Sequence, residues 1–186
     1  EGLRDKVVER FWDMFVTDAF IRNGDRNNGN WGLLITPYSK KLAPVFDNGN
    51  ALFNKRNPSV AERRLANDVL VAEDVKSGVS FFTDDEDHHI HPFKFIASMQ
   101  NEDCNAAILR FAERLDMEKV RTIIRDIPEQ AFGLPVLSPM QKEFYIKLLE
   151  TAYEQGIRPV VANLREPERQ VSLDGETRDM RAASHD

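Results

Sequence analysis

The sequence of 186 residues holds a single cysteine, Cys104, so no disulfide can form within the chain and a reducing setting, the cytoplasm, is expected. One such residue reads as a small buried apolar side chain on a helix. No apolar run approaches the roughly 18 residues that a membrane span needs. Base is not in excess either: 25 Lys and Arg stand against 31 Asp and Glu, a net charge of −6, which excludes a broad electrostatic footprint for nucleic acid. The basic pairs Lys40-Lys41, Lys55-Arg56 and Arg63-Arg64 therefore read as solvated faces. The chain opens on Glu1, with no initiator Met, basic n-region or signal-peptide core, and the expectation is a piece of a longer protein. No internal repeat is present, and the length suits one globular unit.

What the sequence does have is concentrated between Phe20 and Phe53. Ahead of it, Val7, Val8, Phe11, Phe15, Ala19 and Phe20 recur at helical intervals, with Arg4, Asp5, Glu9, Arg10 and Asp13 mostly on the other side, which predicts an amphipathic helix from Leu3 to Ile21. The run Asn23-Gly-Asp-Arg-Asn-Asn-Gly-Asn30 is rich in residues that tolerate left-handed and turn conformations, so it predicts an irregular loop. Trp31 to Thr36 and Lys41 to Phe46 flank the turn-forming Pro37-Tyr38-Ser39-Lys40 and predict a β-hairpin. Such a hairpin returns the chain so that Asn30 and Asp47 can face one site.

Beyond the flexible turn Asn48-Gly49-Asn50 the pattern is mainly helical. Helices are predicted from Pro58 to Leu65, with a less regular stretch to Val79, then over Pro92 to Met99, Asp103 to Arg114 and Met117 to Arg125. Pro135 and Pro139 bracket a loop. Ser138 and Pro139 cap a long helix that Pro159 kinks or interrupts. The fold class is thus mainly α with a small β-hairpin. Residues 1–164 form the folded lobe and 165–186 a polar tail with few apolar anchors.

Asp25, Asn30 and Asp47 have the residue types and spacing of a phosphoryl-transfer site. Magnesium takes oxygen ligands, commonly one or two carboxylates with phosphate oxygens and water, and Asn30 and Asp47 supply such donors. Transfer to a hydroxyl needs a proton acceptor, the role open to Asp25. Arg26 has two readings, one orienting Asp25 or meeting phosphate, the other a surface ion pair. The plain alternative for the whole loop is an Asn/Gly turn in which Asp25 caps backbone amides. An EF-hand reading fails, because the sixth loop position is Asn30 and the twelfth Thr36. The run from Asp84 to His91 has metal-ligand residue types, yet His88, His89 and His91 match no closed zinc spacing, and an exposed charged loop is the expected state. Trp12 and Trp31 read as core residues.

Asn23-Gly24-Asp25-Arg26 with Asn30-Trp31-Gly32, followed by Leu42-Ala-Pro-Val-Phe-Asp-Asn-Gly49, resembles the C-terminal lobe of the HipA-like serine/threonine kinases. About 35 residues carry the resemblance. It implies an atypical kinase lobe that uses ATP and Mg2+, with Asp25 as the catalytic-loop Asp, Asn30 as the catalytic-loop residue that ligates metal, and Asp47 as the metal-binding Asp of a DFG-like tripeptide. In this chain that tripeptide is Asp47-Asn48-Gly49, and Gly24 stands where the common HRD motif has Arg. The resemblance further implies a protein substrate, and a bacterial toxin–antitoxin or signalling setting with an antitoxin-type partner. No glycine-rich phosphate loop or nucleotide Lys is recognisable ahead of Asp25, so the nucleotide-binding lobe is expected in a preceding segment or a partner chain. A noncatalytic interaction module on the same scaffold is the competing expectation, and Mg2+-dependent nucleotide binding separates the two.

Overall fold

The computed structural model describes residues 2–54 and 56–166. The tail expected over 165–186 lies outside the described residues from position 167 onward, while Arg165 itself closes the last helix. Eight α-helices are described: α1 (Leu3–Ile21), α2 (Pro58–Leu65), α3 (Asp68–Lys76), α4 (Pro92–Ser98), α5 (Glu102–Arg114), α6 (Met117–Asp126), α7 (Pro139–Ala152) and α8 (Arg158–Arg165). Two small antiparallel hairpins, β1 (Leu33–Thr36) with β2 (Ser39–Leu42) and β3 (Gln130–Ala131) with β4 (Leu134–Pro135), are described with them, as are a 3-10 turn at Ala51–Phe53 and a π-helical turn at Tyr153–Ile157. The mainly α class with a β-hairpin is the observed one.

Helix boundaries follow local chemistry. Asn57, Asn67, Asn101, Asp116 and Ser138 each accept a backbone N–H of the first turn they precede, and Ser138 forms a reciprocal capping box with Gln141. Helix α7 forms the centre of the lobe: Phe144, Leu148 and Leu149 are buried, and α2, α3 and α6 pack around it. Helix α1 lies along α5, and its last two turns, Met14 to Phe20, are buried on nearly every side. The first turns of α1 are instead mostly exposed. Trp12 stacks on Phe95 with ring centroids 5.6 Å apart, and Phe11 contacts Trp31 at 6.0 Å, which fastens the start of the hairpin to α1.

Proline determines two departures from simple periodicity. Before Pro159, residues Tyr153–Ile157 form a π-helical turn that joins α7 to α8. Pro159 then falls in the first turn of α8, so the expected interruption takes the form of this π-helical turn. Gly156 sits in that turn against Phe93, and a β-carbon there would lie 2.3 Å from the ring. In the hairpin, Thr36 pairs with Ser39 across the two-residue turn Pro37-Tyr38, and Leu33 pairs with Leu42. The second strand therefore begins two residues earlier than predicted and ends before Ala43, which adds one further bond to Gly32. Pro44 cannot donate to a ladder, so residues 43–48 run on as an irregular segment. The region between Pro135 and Pro139, expected as a loop, is preceded by the β3–β4 hairpin, whose turn places Phe132 and Gly133 at positive φ.

Candidate active site

The site begins in the last turn of α1, which presents Asp18 inward with only 7 % of its surface exposed. Arg22 ends the helix in the left-handed conformation, and the amide of Asn23 bonds back to the Asp18 carbonyl. The Asn23 side chain donates to Asp18 Oδ1 at 3.0 Å. These bonds turn the chain sharply out of α1. Gly24 then passes so close to Val79 that a β-carbon would meet its carbonyl oxygen at 2.9 Å, which gives a steric reason for glycine before Asp25.

Asp25 is partly buried and its two polar ends are held differently. The backbone carbonyl accepts the Asn30 side-chain amide at 2.7 Å and the Asn27 amide at 2.8 Å. The carboxylate accepts Asn50 Nδ2 at 2.5 Å on Oδ2, while Oδ1 meets Asn27 Nδ2 only at 3.5 Å. Asn50 was not expected in the site. Its contact links the loop after α1 to the turn that follows Asp47.

Arg26 departs most from expectation. It is not a surface residue, since only 2 % of it is exposed. Nε and Nη2 donate to the two oxygens of Asp18 at 2.8 and 3.0 Å. Nη1 donates to the Asn30 carbonyl at 3.1 Å and to the Phe46 carbonyl at 2.5 Å, and Nη2 donates to Asn48 Oδ1. All five N–H groups of one guanidinium are thereby used. Sequence spacing hid this role, because nothing in the residue order singles out Asp18 within α1.

Asp47 lies between the two residues that Arg26 grips. It is exposed, with its backbone at φ 56, in the left-handed region that Asp enters more readily than most residues. Asn30 is 8 % exposed and its amide nitrogen is committed to Asp25, which leaves Oδ1 as its remaining acceptor. The structure thus brings Asp25 and Asn30 into direct contact, and it joins Asn30 to the residues flanking Asp47 through Arg26.

A carboxylate and an amide oxygen are hard donors of the kind that Mg2+ takes alongside phosphate and water, so the residue types at 47 and 30 fit that ion. The metal-ligand residue types of the run from Asp84 to His91 are not gathered into a cluster. Among the described residues, no group of three or more His, Cys, Asp or Glu is placed to hold a metal. Asp84 instead accepts the Glu86 and His88 amides at 3.0 and 2.9 Å, and the His88 bond holds its carboxyl below the usual carboxylate range. His91 contacts the Gly78 carbonyl at 2.9 Å.

Two of the basic residues expected to be solvated lie inside a second polar cluster. Arg56 pairs with buried Asp74 at 2.6 Å and covers the Phe53 ring at 3.6 Å, and Arg64 reaches Asp74 at 3.5 Å. Arg22 donates to the Asp74 carbonyl at 2.7 Å, and burial lowers its pKa despite the nearby carboxylate. Lys40, Lys41 and Arg63 are exposed as expected.

No protein-family profile matches the chain. The chain is 38 % identical over 143 residues to the serine/threonine-protein kinase CtkA of Helicobacter pylori, an alignment covering 75 % of this chain and 42 % of that protein. The crystal structure of an H. pylori proinflammatory kinase CtkA shares its fold, with a TM-score of 0.78 at 31 % identity over 87 % of this chain and 55 % of that one. The chain is a homologue of a serine/threonine kinase and spans about half the length of these relatives or less. Among the described residues, no helix is long and apolar enough to cross a membrane.

Proposed function

We propose that this chain is the catalytic, metal-binding lobe of a HipA-like, ATP-dependent serine/threonine kinase that transfers the γ-phosphoryl group to a protein hydroxyl. The carrying observation is the joining of two loops on one buried side chain: Arg26 bonds the carbonyls of Asn30 and Phe46 and the side chain of Asn48. A base and two metal ligands on separate loops need such a brace. Homology to a serine/threonine kinase supports the same reading.

In this reading Asp25 takes the proton of the attacking Ser or Thr hydroxyl. Asn50 steadies its Oδ2, and Oδ1, which has only the long Asn27 contact, is the oxygen that accepts the proton. As the hydroxyl oxygen bonds to the γ-phosphorus, the bond from that phosphorus to the bridging oxygen breaks and ADP leaves. Asn30 and Asp47 would hold Mg2+, which supplies charge neutralisation at the phosphate oxygens. The grip on the remainder of ATP belongs to a nucleotide lobe in a preceding segment or partner chain. A cytoplasmic toxin–antitoxin or signalling role, with an antitoxin-type partner, follows from the family resemblance.

Phosphoryl transfer from radiolabelled ATP by the complete gene product tests the assignment. Activity should require Mg2+ and be lost in Asp25→Ala and Asp47→Ala. Turnover unchanged by both substitutions would overturn it, and absence of Mg2+-dependent nucleotide binding in the complete protein would favour the noncatalytic module.

A further inference from the structure

The Asp47 loop is unsupported by regular structure. Residues 43–48 follow the end of β2 without a ladder, and Asp47 and the residues around it are exposed. A metal ligand on such a segment would wander unless its neighbours were fixed. Two of those neighbours, Phe46 and Asn48, are bonded to Arg26, as is the carbonyl of Asn30.

We propose that Arg26 is the positioning residue that sets Asp47 against Asn30, with Asp18 as its buried counter-ion. The proposal rests on the kinase reading. Asp18 takes two of the five donors through a bidentate contact, which fixes the plane of the guanidinium relative to α1. The other three then point in fixed directions at the two loops. Lysine has the charge but carries three donors on a single rotatable nitrogen, so it cannot span Asp18, Asn30 and the Asp47 loop together. Asn23, which also bonds Asp18, fixes the turn that brings Arg26 into place. Arg26 touches neither phosphate nor hydroxyl in this scheme and acts through the ligands it braces.

The test uses Arg26→Lys and Asn48→Ala in the complete protein. Asn48 is exposed, so its truncation removes one bond without opening the core. Two quantities are read: the Mg2+ concentration giving half-maximal phosphoryl transfer, and backbone amide exchange by mass spectrometry. Loss of an outer-shell partner commonly weakens a metal site by about 10- to 100-fold, and Arg26→Lys should raise the Mg2+ requirement within that range. Exchange should accelerate over residues 45–50 and 27–31 while α1 and α7 keep wild-type protection. Asn48→Ala should give the same pattern at smaller size, and it decides the matter if Arg26→Lys does not fold. Wild-type Mg2+ dependence and loop exchange in the folded variants, or exchange raised evenly over α1 and α7, would overturn the proposal. Asp47→Ala separates the two levels: if it retains turnover the kinase reading fails, whereas if it loses turnover and the Arg26 and Asn48 variants behave as wild type, only the positioning role fails.

Discussion

Asp18 and Arg26 meet eight residues apart through two hydrogen bonds of 2.8 and 3.0 Å, both side chains almost fully buried. A buried ion pair is costly to form, and its partners do not tolerate separation. Asp18→Ala leaves two donors of the buried guanidinium without their acceptor. It should destabilise the protein by about 3–5 kcal/mol in urea unfolding, the usual penalty for breaking a buried pair. Asp18→Leu with Arg26→Met should recover part of that stability, yet phosphoryl transfer should stay lost in the double variant. Recovery of activity along with stability would show that the pair is a core feature alone.

Asp25 should behave differently, because its carboxylate bears on chemistry more than on packing. Asp25→Asn preserves size and can still meet Asn50 through its amide oxygen, so thermal denaturation should change little. Removing the proton acceptor should lower kcat by about 10²- to 10⁴-fold, the normal contribution of a general base. Equal losses in kcat and thermal stability would instead assign Asp25 to the plain turn-capping role.

Much of this architecture was legible in residue order. The predicted first helix, Leu3 to Ile21, has the observed ends, because Phe15, Ala19 and Phe20 supply a strong apolar signal and Asn23-Gly24 ends it. Ser138 marked a local cap, which depends on a neighbour three residues away. Long-range partners were invisible. The two readings of Arg26 could not be told apart in the sequence because its acceptors, Asp18, Asn30, Phe46 and Asn48, lie on three separate segments that only folding assembles. Arg56 was hidden for the same reason, since Asp74 is 18 residues away. The shift of β2 could have been read from Pro44, whose missing N–H argues against a strand reaching Phe46.

Cys104 gives a prediction about the core that is independent of catalysis. It is 2 % exposed, and burial pushes its thiol up to about 12 from an ordinary value of 9.0. Folding thus holds the proton on, so this group's contribution to stability is complete below the unfolded value and is lost as pH rises toward the folded one. Between about pH 9 and 12 the alkaline limb of the stability curve should be less steep in Cys104→Ala than in wild type. At neutral pH a thiol reagent should modify Cys104 only at the rate of unfolding. Rapid labelling of the native protein would contradict this.

The π-helical turn between α7 and α8 packs a glycine against an aromatic ring. Gly156 is buried there, and a β-carbon added to it would stand 2.3 Å from Phe93 Cε1 and 2.4 Å from Cδ1. Neither helix can move away freely, since Ile157 is fully buried and α4 is anchored by Ile96. Gly156→Ala should therefore cost about 1–3 kcal/mol by overpacking, set against the smaller gain that alanine usually brings to a helix. Phe93→Leu removes the ring edge that causes the clash. Combined with Gly156→Ala it should be less destabilising than the sum of the two single changes, a coupling that a double-mutant cycle in denaturant measures directly. Additive costs would mean that Phe93 is not what demands glycine, and that the turn itself tolerates no side chain.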